Sequence, residues 1–167
     1  LQYALEALAA LLPQYQGQFV FDVVGDGPFR ESLERHTQEL GLAGHVRFHG
    51  RQPYETLWEW YLEADVFLFP TLSDYRALAP FEALSMGLPI VASIYDGGIY
   101  ETVEEGANGF SFDPRDIDKL SAMLSRFLDD PEIIPRFGMR SLEMAVAFTL
   151  ERGAESLVNA CQKALGY

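Results

Sequence analysis

The sequence predicts an α/β fold in which a Rossmann-like parallel sheet carries helices on both faces. Short segments rich in β-branched and aromatic residues alternate with amphipathic segments whose apolar residues have helical spacing. The segment DVFLFP (65–70) is apolar over almost its whole length, which is typical of a parallel strand covered on both faces. Because 49% of the 167 residues are hydrophobic and no long linker interrupts them, we expect a single domain.

The first half of the chain alternates between helix and strand. A helix is predicted for residues 1–12, and the segment from Pro13 to Gly17 is expected to end it. The pattern then predicts a strand at 18–24, a helix from 28 to Gly41, a strand at 45–50, a helix at 54–64 and a strand at 65–70. Alternation at this spacing is typical of a parallel sheet.

The second half continues the alternation. A short helix is predicted at 80–87, with Pro80 in its first turn and Gly87 beyond its end. A strand at 89–93, a helix at 99–106 and a strand at 109–112 follow. The remainder, 116–165, is predicted to be helical with breaks near Pro131 and Gly153.

Charge and composition exclude several classes of function. A net charge of −13 repels phosphate backbones and anionic lipid, so we expect no nucleic-acid partner and no membrane docking by this chain alone. The single cysteine, Cys161, cannot form an internal disulfide, which excludes a disulfide-stapled secreted scaffold and favours a reducing, cytoplasmic compartment. The three histidines lack metal-ligand spacing, so we expect no metal site.

In open parallel sheets, ligands bind outside the carboxyl ends of the strands, so the loops after the predicted strands are the places to search. The first is the turn from Gly25 to Pro28, which also contains Gly27. A dinucleotide fingerprint would need glycine three positions after Gly27, where Arg30 stands, and no P-loop is present. The residue types alone favour a tight strand-to-helix turn.

The loop after the apolar strand leads into the helix that contains Pro80. Free backbone N–H groups at a helix start favour a diphosphate, and since proline has none, Leu78 and Ala79 are the expected donors. Glu82 lies in the first turn of that helix. Two interpretations of Glu82 stay open: acceptance of hydrogen bonds from a ribose diol, or simple compensation of the helix dipole.

Six segments carry a family resemblance: GDGPFRESLE, HVRFHG, ADVFLFPTLSD, FEALSMGLPIVAS, DGGIYETVEEGANGFSFDP and DDPE occur in this order. Together they resemble the carboxy-terminal, donor-binding half of retaining, nucleotide-sugar-dependent glycosyltransferases of the GT-B architecture, the glycosyl transferases group 1 family. The resemblance covers roughly residues 1–130.

The resemblance implies roles for particular residues. The family's two glutamates, separated by seven residues, correspond to Asp74, an aspartate at the first position, and Glu82. The resemblance makes them the catalytic pair: Glu82 holds the ribose hydroxyls, and Asp74 lies near the transferred sugar and its phosphates. The family usually has Gly-Phe-Gly-Leu where this chain has Tyr75-Arg76-Ala77-Leu78. The implied donor-binding set is Gly25, Gly27, Arg51, Gln52, Tyr75, Arg76, Ala77, Leu78, Ala79 and Glu82. Arg76 is either a cation near the diphosphate or a solvent-facing side chain.

The resemblance also implies a reaction. A sugar would pass from a nucleoside diphosphate to an acceptor hydroxyl with its configuration kept, without a metal ion or other cofactor. The partner would be an amino-terminal acceptor domain of a longer chain. Residues 1–167 would then be one donor-binding domain that lacks its first strand, together with an arginine and a lysine before Leu1, and would be inactive alone.

The missing strand is central in the family's sheet. The strands at 18–24 and 65–70 are therefore expected to face each other across a gap that another segment or a partner strand fills.

Two other functions stay open. The departures at Asp74, Tyr75 and Arg76 favour a non-catalytic binding or interaction module. Half of a sugar-nucleotide epimerase on the same architecture would act on the donor without an acceptor.

Overall fold

The computed structural model describes residues 1–165. Its α-helices are α1 (Gln2–Tyr15), α2 (Arg30–Glu39), α3 (Leu57–Glu63), α4 (Ala79–Ser85), α5 (Ile99–Thr102), α6 (Ile117–Asp129), α7 (Ile133–Ala145) and α8 (Leu150–Leu165). The strands are β1 (Phe21–Val24), β2 (Val46–Gly50), β3 (Phe67–Phe69), β4 (Ile90–Ser93) and β5 (Gly109–Phe112). Two 3₁₀ turns, Tyr54–Thr56 and Val146–Phe148, precede α3 and α8.

All strand pairs are parallel, so the predicted fold class is confirmed. The described strands form two sheets, β1–β2 and β3–β4–β5. In the larger sheet, Val91 of β4 pairs with Leu68 on one side and Phe110 on the other. β1 and β3 do not pair with each other in the described structure. Direct pairing would have contradicted the expected gap between them; what fills that gap stays a prediction.

Helices cover both faces of the larger sheet. Strand β4 is buried along its whole length, and its side chains alternate between two apolar clusters. Ile90 and Ala92 pack towards α4, whereas Val91 packs towards Phe110, α6 and α7. This alternation is what a strand covered on both faces requires.

Helix α1 packs against both sheets and contributes residues to the apolar cluster of each. Ala4 and Ala7 pack in the cluster that contains β4 and β5, and Leu5 and Leu8 pack in the cluster that contains β1 and β2. The pattern of small residues on one side and leucines on the other lets one helix bury both faces. Tyr15 anchors the end of this helix, since its hydroxyl donates to Asp129 Oδ1 of α6 at 2.6 Å.

Several predicted boundaries were wrong. Helix α1 runs three residues past the predicted 1–12 but still ends at Tyr15, within the segment from Pro13 to Gly17 that was expected to end it. Pro13 is tolerated because a proline in the last turn removes only one helical hydrogen bond and buried Tyr15 holds the turn. The last break falls at Thr149 rather than Gly153. Thr149 has extended backbone, and its hydroxyl accepts from the Arg152 amide at 3.3 Å, so it begins α8.

Other elements are shorter than predicted. The strand at 18–24 is restricted to Phe21–Val24, and the helix from 99 ends at Thr102. Within residues 1–165, no helix has both the length and the apolar character needed to cross a membrane.

Candidate functional site

The candidate site lies at the carboxyl ends of β3 and β4, where the loops after these strands join. The Asp74 amide donates to the Tyr95 carbonyl at 3.1 Å, and the Gly97 amide donates to the Asp74 carbonyl at 3.0 Å. At Gly97 the backbones touch so closely that an added Cβ would overlap the Tyr75 carbonyl oxygen. The two loops therefore form one unit, as expected for parallel strands whose carboxyl ends meet at one edge.

The buried side chain of Asp96 makes hydrogen bonds to both loops of this unit. Its side chain is 1% exposed, and its Oδ1 accepts from the amides of Ala77 and Gly98, both at 3.2 Å. Its Oδ2 has no hydrogen-bond partner among the described residues. A buried carboxylate is costly unless hydrogen bonds compensate it, so these two bonds fix the loop before α4. Sequence reasoning missed Asp96; the available signal was an acid directly before a glycine pair.

A cavity of about 490 Å³ opens beside this unit. Its lining includes Asp74, Tyr75 and Arg76 from the first loop and Asp96 and Glu101 from the second segment. The structure therefore brings together three of the predicted site residues. Asp74 is exposed, and its Oδ1 accepts from the Arg76 amide at 3.1 Å, which shapes the start of the loop. The Tyr75 side chain is 94% exposed at the rim.

Arg76 is not a free cation in this structure. Its guanidinium makes two hydrogen bonds of 2.8 Å to the Glu101 carboxylate and lies 4.2 Å from the centre of the Phe81 ring. The paired guanidinium lowers the pKa of Glu101, and the same hydrogen bonds raise the pKa of Arg76. Three carboxylates and one arginine thus line the cavity. Glu101 was not a predicted site residue.

In acid, the Arg76–Glu101 pair is expected to lose its contribution to stability. Because the pKa of Glu101 is lowered on folding, this contribution is present above the ordinary value of 4.5 and is lost as the pH falls through the lower folded-state pKa. Urea unfolding of the wild type and Glu101→Gln at pH 7 and pH 3 measures it. The stability difference should be small at pH 7, since the pair is partly exposed, and should be smaller still at pH 3. A difference that does not change with pH would contradict this.

Glu82 lies in the first turn of α4 and is half-buried. Its Oε2 accepts a hydrogen bond of 2.8 Å from the Tyr61 hydroxyl, which comes from α3. Burial, and then the hydrogen bond to Glu82, raise the pKa of Tyr61, so the phenol stays protonated and donates. Sequence reasoning missed Tyr61, which appeared there only as one apolar position of an amphipathic helix.

The backbone amides that lead into α4 differ in whether they already make a hydrogen bond. The Ala77 amide is occupied by Asp96, as described above. No hydrogen bond from the Leu78 or Ala79 amide is found among residues 1–165. Leu78 is 70% exposed.

Arg51 and Gln52 line a second cavity, of about 610 Å³, with Pro53, Tyr54 and Leu57 at the start of α3. The Gln52 side-chain amide donates to the His49 carbonyl at 2.8 Å, which orders the loop. The Gly25 amide donates to the Gly50 carbonyl at 2.8 Å, so the predicted Gly25 lies beside this loop. Gly27 is exposed and lines neither cavity.

Among the described residues, no group of three or more His, Cys, Asp and Glu side chains is arranged to hold a metal ion. Two of the histidines have structural partners instead. His49 Nε2 lies 2.6 Å from Asp22 Oδ1, and its ring packs on Trp60 with centroids 4.2 Å apart. His45 Nδ1 lies 3.1 Å from the Phe19 carbonyl oxygen.

Comparison with known proteins identifies the family. The model for glycosyl transferases group 1 matches residues 1–143. D-inositol 3-phosphate glycosyltransferase of Streptomyces griseus is 32% identical over 170 residues, which cover 96% of this chain and 36% of that protein. The GDP-mannose-dependent α-(1-6)-phosphatidylinositol monomannoside mannosyltransferase of Mycolicibacterium smegmatis is 32% identical over 131 residues, which cover 74% of this chain and 34% of that protein.

Solved structures agree with this result. Sucrose-phosphate synthase from Thermosynechococcus elongatus superposes with a TM-score of 0.82 at 26% identity, covering 99% of this chain and 43% of that one. HepE from Anabaena, solved in complex with UDP, has the same fold, with a TM-score of 0.79 at 23% identity over 94% of this chain and 44% of that one. The chain spans about a third of the length of the curated relatives it matches, in their carboxy-terminal portion. It belongs to the glycosyl transferases group 1 family and has the fold of a GT-B glycosyltransferase domain.

Proposed function

We propose that this chain is the nucleotide-sugar-binding half of a retaining glycosyltransferase, which transfers a hexosyl group from a nucleoside-diphosphate donor to an acceptor hydroxyl. The observation that carries the proposal is the Glu82 carboxylate. It follows Asp74 at the family's spacing, and Tyr61 fixes one of its oxygens at 2.8 Å. Its other oxygen, Oε1, has no hydrogen-bond partner among the described residues and is available to a ribose diol.

The diphosphate would lie between Glu82 and the cavity that contains Asp74. The free amides of Leu78 and Ala79 are its proposed donors, while Ala77 contributes through the shape of the loop. The base would occupy the cavity lined by Arg51 and Gln52, which adjoins the same helix as Tyr61. Gly25 supports that loop through Gly50.

The proposed chemistry needs no protein nucleophile and no metal ion. The departing phosphate oxygen would take the proton of the acceptor hydroxyl on the face where the new bond forms, so the sugar keeps its configuration. Donors aimed at the developing charge on the diphosphate supply the main electrostatic stabilisation in such a transfer. Asp74, at the wall of the cavity, would contact hydroxyls of the transferred sugar. Turnover would also need the cations and the acceptor domain of a longer cytoplasmic enzyme, so we expect these 167 residues alone to be inactive.

Titration of the 167-residue chain with UDP and GDP tests the proposal. Glu82→Gln is expected to weaken binding of the preferred nucleotide by about tenfold or more, because a charged acceptor of the ribose hydroxyls is lost. Glu63→Gln is the matched control, since Glu63 is an exposed glutamate at the end of α3. It should leave the dissociation constant within about twofold of the wild type. No binding to either nucleotide, or equal binding by wild type and Glu82→Gln, would contradict the proposal.

The second candidate is a non-catalytic binding module with the same fold. The ion pair between Arg76 and Glu101 favours it, because it leaves the cavity with an excess of carboxylates that repels a diphosphate. The same titration separates the two candidates, since the module would bind neither UDP nor GDP.

A further inference from the structure

Tyr61 and Glu82 come from different helices and meet at the edge of the larger sheet. Tyr61 is half-buried on α3, and its ring packs against Phe67 of β3 with centroids 5.9 Å apart. The same ring borders the apolar cluster that contains Leu84 of α4 and Ile90 of β4. Packing against Phe67 and this cluster restricts the position of the Tyr61 ring and of its hydroxyl.

Glutamate by itself does not hold its carboxylate in one place. Its side chain has three rotatable bonds, and losing that freedom costs free energy on binding a ligand. Glu82 receives a hydrogen bond of 2.8 Å from a packed tyrosine, so part of that loss has occurred before a ligand arrives. Since burial and the hydrogen bond raise the pKa of Tyr61, the donor keeps its proton throughout the neutral range.

We propose that Tyr61 is a positioning residue that makes this site select ribonucleotides over 2′-deoxyribonucleotides. The inference rests on the proposed function, in which Glu82 accepts the ribose hydroxyls. With Oε2 held by Tyr61, Oε1 is directed at a fixed point. A ribose hydroxyl at that point donates a hydrogen bond to it and strengthens binding. If the carboxylate turned freely towards water, the same hydroxyl would increase the affinity much less.

The test compares UDP with 2′-deoxy-UDP, titrated calorimetrically into the 167-residue chain; if GDP binds more tightly, GDP and 2′-deoxy-GDP replace them throughout. The wild type should prefer UDP by about tenfold, the order expected when a charged hydrogen-bond acceptor loses its partner. Tyr61→Phe keeps the packed ring and removes only the hydroxyl. It should reduce the preference to about twofold by weakening UDP, while the affinity for 2′-deoxy-UDP changes by less than about twofold.

Tyr15→Phe is the matched control. Tyr15 is also a tyrosine that donates to a carboxylate, Asp129, but it lies between α1 and α6 and lines neither cavity. It should reduce stability without changing the preference for UDP. A double variant, Glu82→Ala with Tyr61→Phe, should have the same low preference as Glu82→Ala alone, because Tyr61 acts through Glu82.

The possible outcomes are distinct. An unchanged preference in Tyr61→Phe would overturn the inference and leave the proposed function standing. An equal loss of affinity for both nucleotides in Tyr61→Phe would assign Tyr61 a general structural role and would also overturn it. Failure of the wild type to bind UDP and GDP would instead defeat the proposed function itself.

Discussion

Replacing Gly97 with alanine is expected to abolish nucleotide binding and to lower the free energy of unfolding by about 3 kcal/mol. The new Cβ would overlap the Tyr75 carbonyl oxygen, which is backbone and cannot rotate away. Relief of the overlap requires the loops after β3 and β4 to separate. That movement would break the hydrogen bonds from Gly97 to Asp74 and from Asp74 to Tyr95. Urea unfolding and UDP titration of the same sample measure both effects.

Gly44→Ala provides the control for this substitution. Gly44 lies in a surface turn, and a Cβ placed there meets no atom within 4 Å. Its effect on stability should stay within about 0.5 kcal/mol, and UDP should bind as it does to the wild type. If Gly97→Ala behaved like Gly44→Ala, the two loops would not form the tight unit that the structure shows.

Phe137→Ala is expected to have the largest effect on stability alone, a loss of about 3–5 kcal/mol. The Phe137 side chain is 1% exposed, and its ring lies 5.6 Å from that of Phe110 and 6.0 Å from that of Phe127. Removing it leaves a cavity between α7, α6 and β5, which the surrounding rings cannot fill without leaving their packed positions. Chemical denaturation monitored by circular dichroism gives the difference.

Phe29→Ala controls for the loss of a phenylalanine as such. Phe29 is 72% exposed, so its removal should change the free energy of unfolding by no more than about 0.5 kcal/mol. A loss below about 1 kcal/mol in Phe137→Ala would show that α7 does not pack on the sheet as described.

The fold was predictable because its signals are local. The apolar segment around β3 and the glycine after α4 can be read from neighbouring residues, and these positions agree with the structure. The errors arose where a distant contact decided the outcome. Pro13 stays helical because Tyr15, two residues later, is held by Asp129 across the core. Thr149 begins the last helix through its own side chain, which was a local signal that was overlooked.

The candidate site was only partly predictable. Asp74 and Glu82 have a recognisable spacing, but only Asp74 lines a cavity; Glu82 lies in the first turn of α4 and lines neither cavity. Asp96 and Tyr61 have no such spacing, since their roles depend on which backbone amide or carboxylate the fold brings to them. The pairing of Arg76 with Glu101 likewise spans 25 residues and follows from the joining of two loops.

Under the proposed function, an acidic chain has to accommodate a nucleotide. Two of the three carboxylates at the cavity are held by partners: Asp96 by backbone amides and Glu101 by Arg76. One oxygen of Glu82 is held by the Tyr61 hydroxyl, and its other oxygen makes no hydrogen bond among the described residues. In the proposed complex, hydroxyl groups would lie beside the carboxylates and the phosphates would lie against the backbone amides of Leu78 and Ala79.

A crystal structure of the chain soaked with UDP tests the central claim most directly, because it locates every part of the nucleotide. We expect the ribose hydroxyls within hydrogen-bond distance of Glu82, the diphosphate against the amides of Leu78 and Ala79, and the Tyr61 bond to Glu82 intact. Nucleotide bound elsewhere, or a site that stays empty at saturating UDP and in a second soak with GDP, would contradict it.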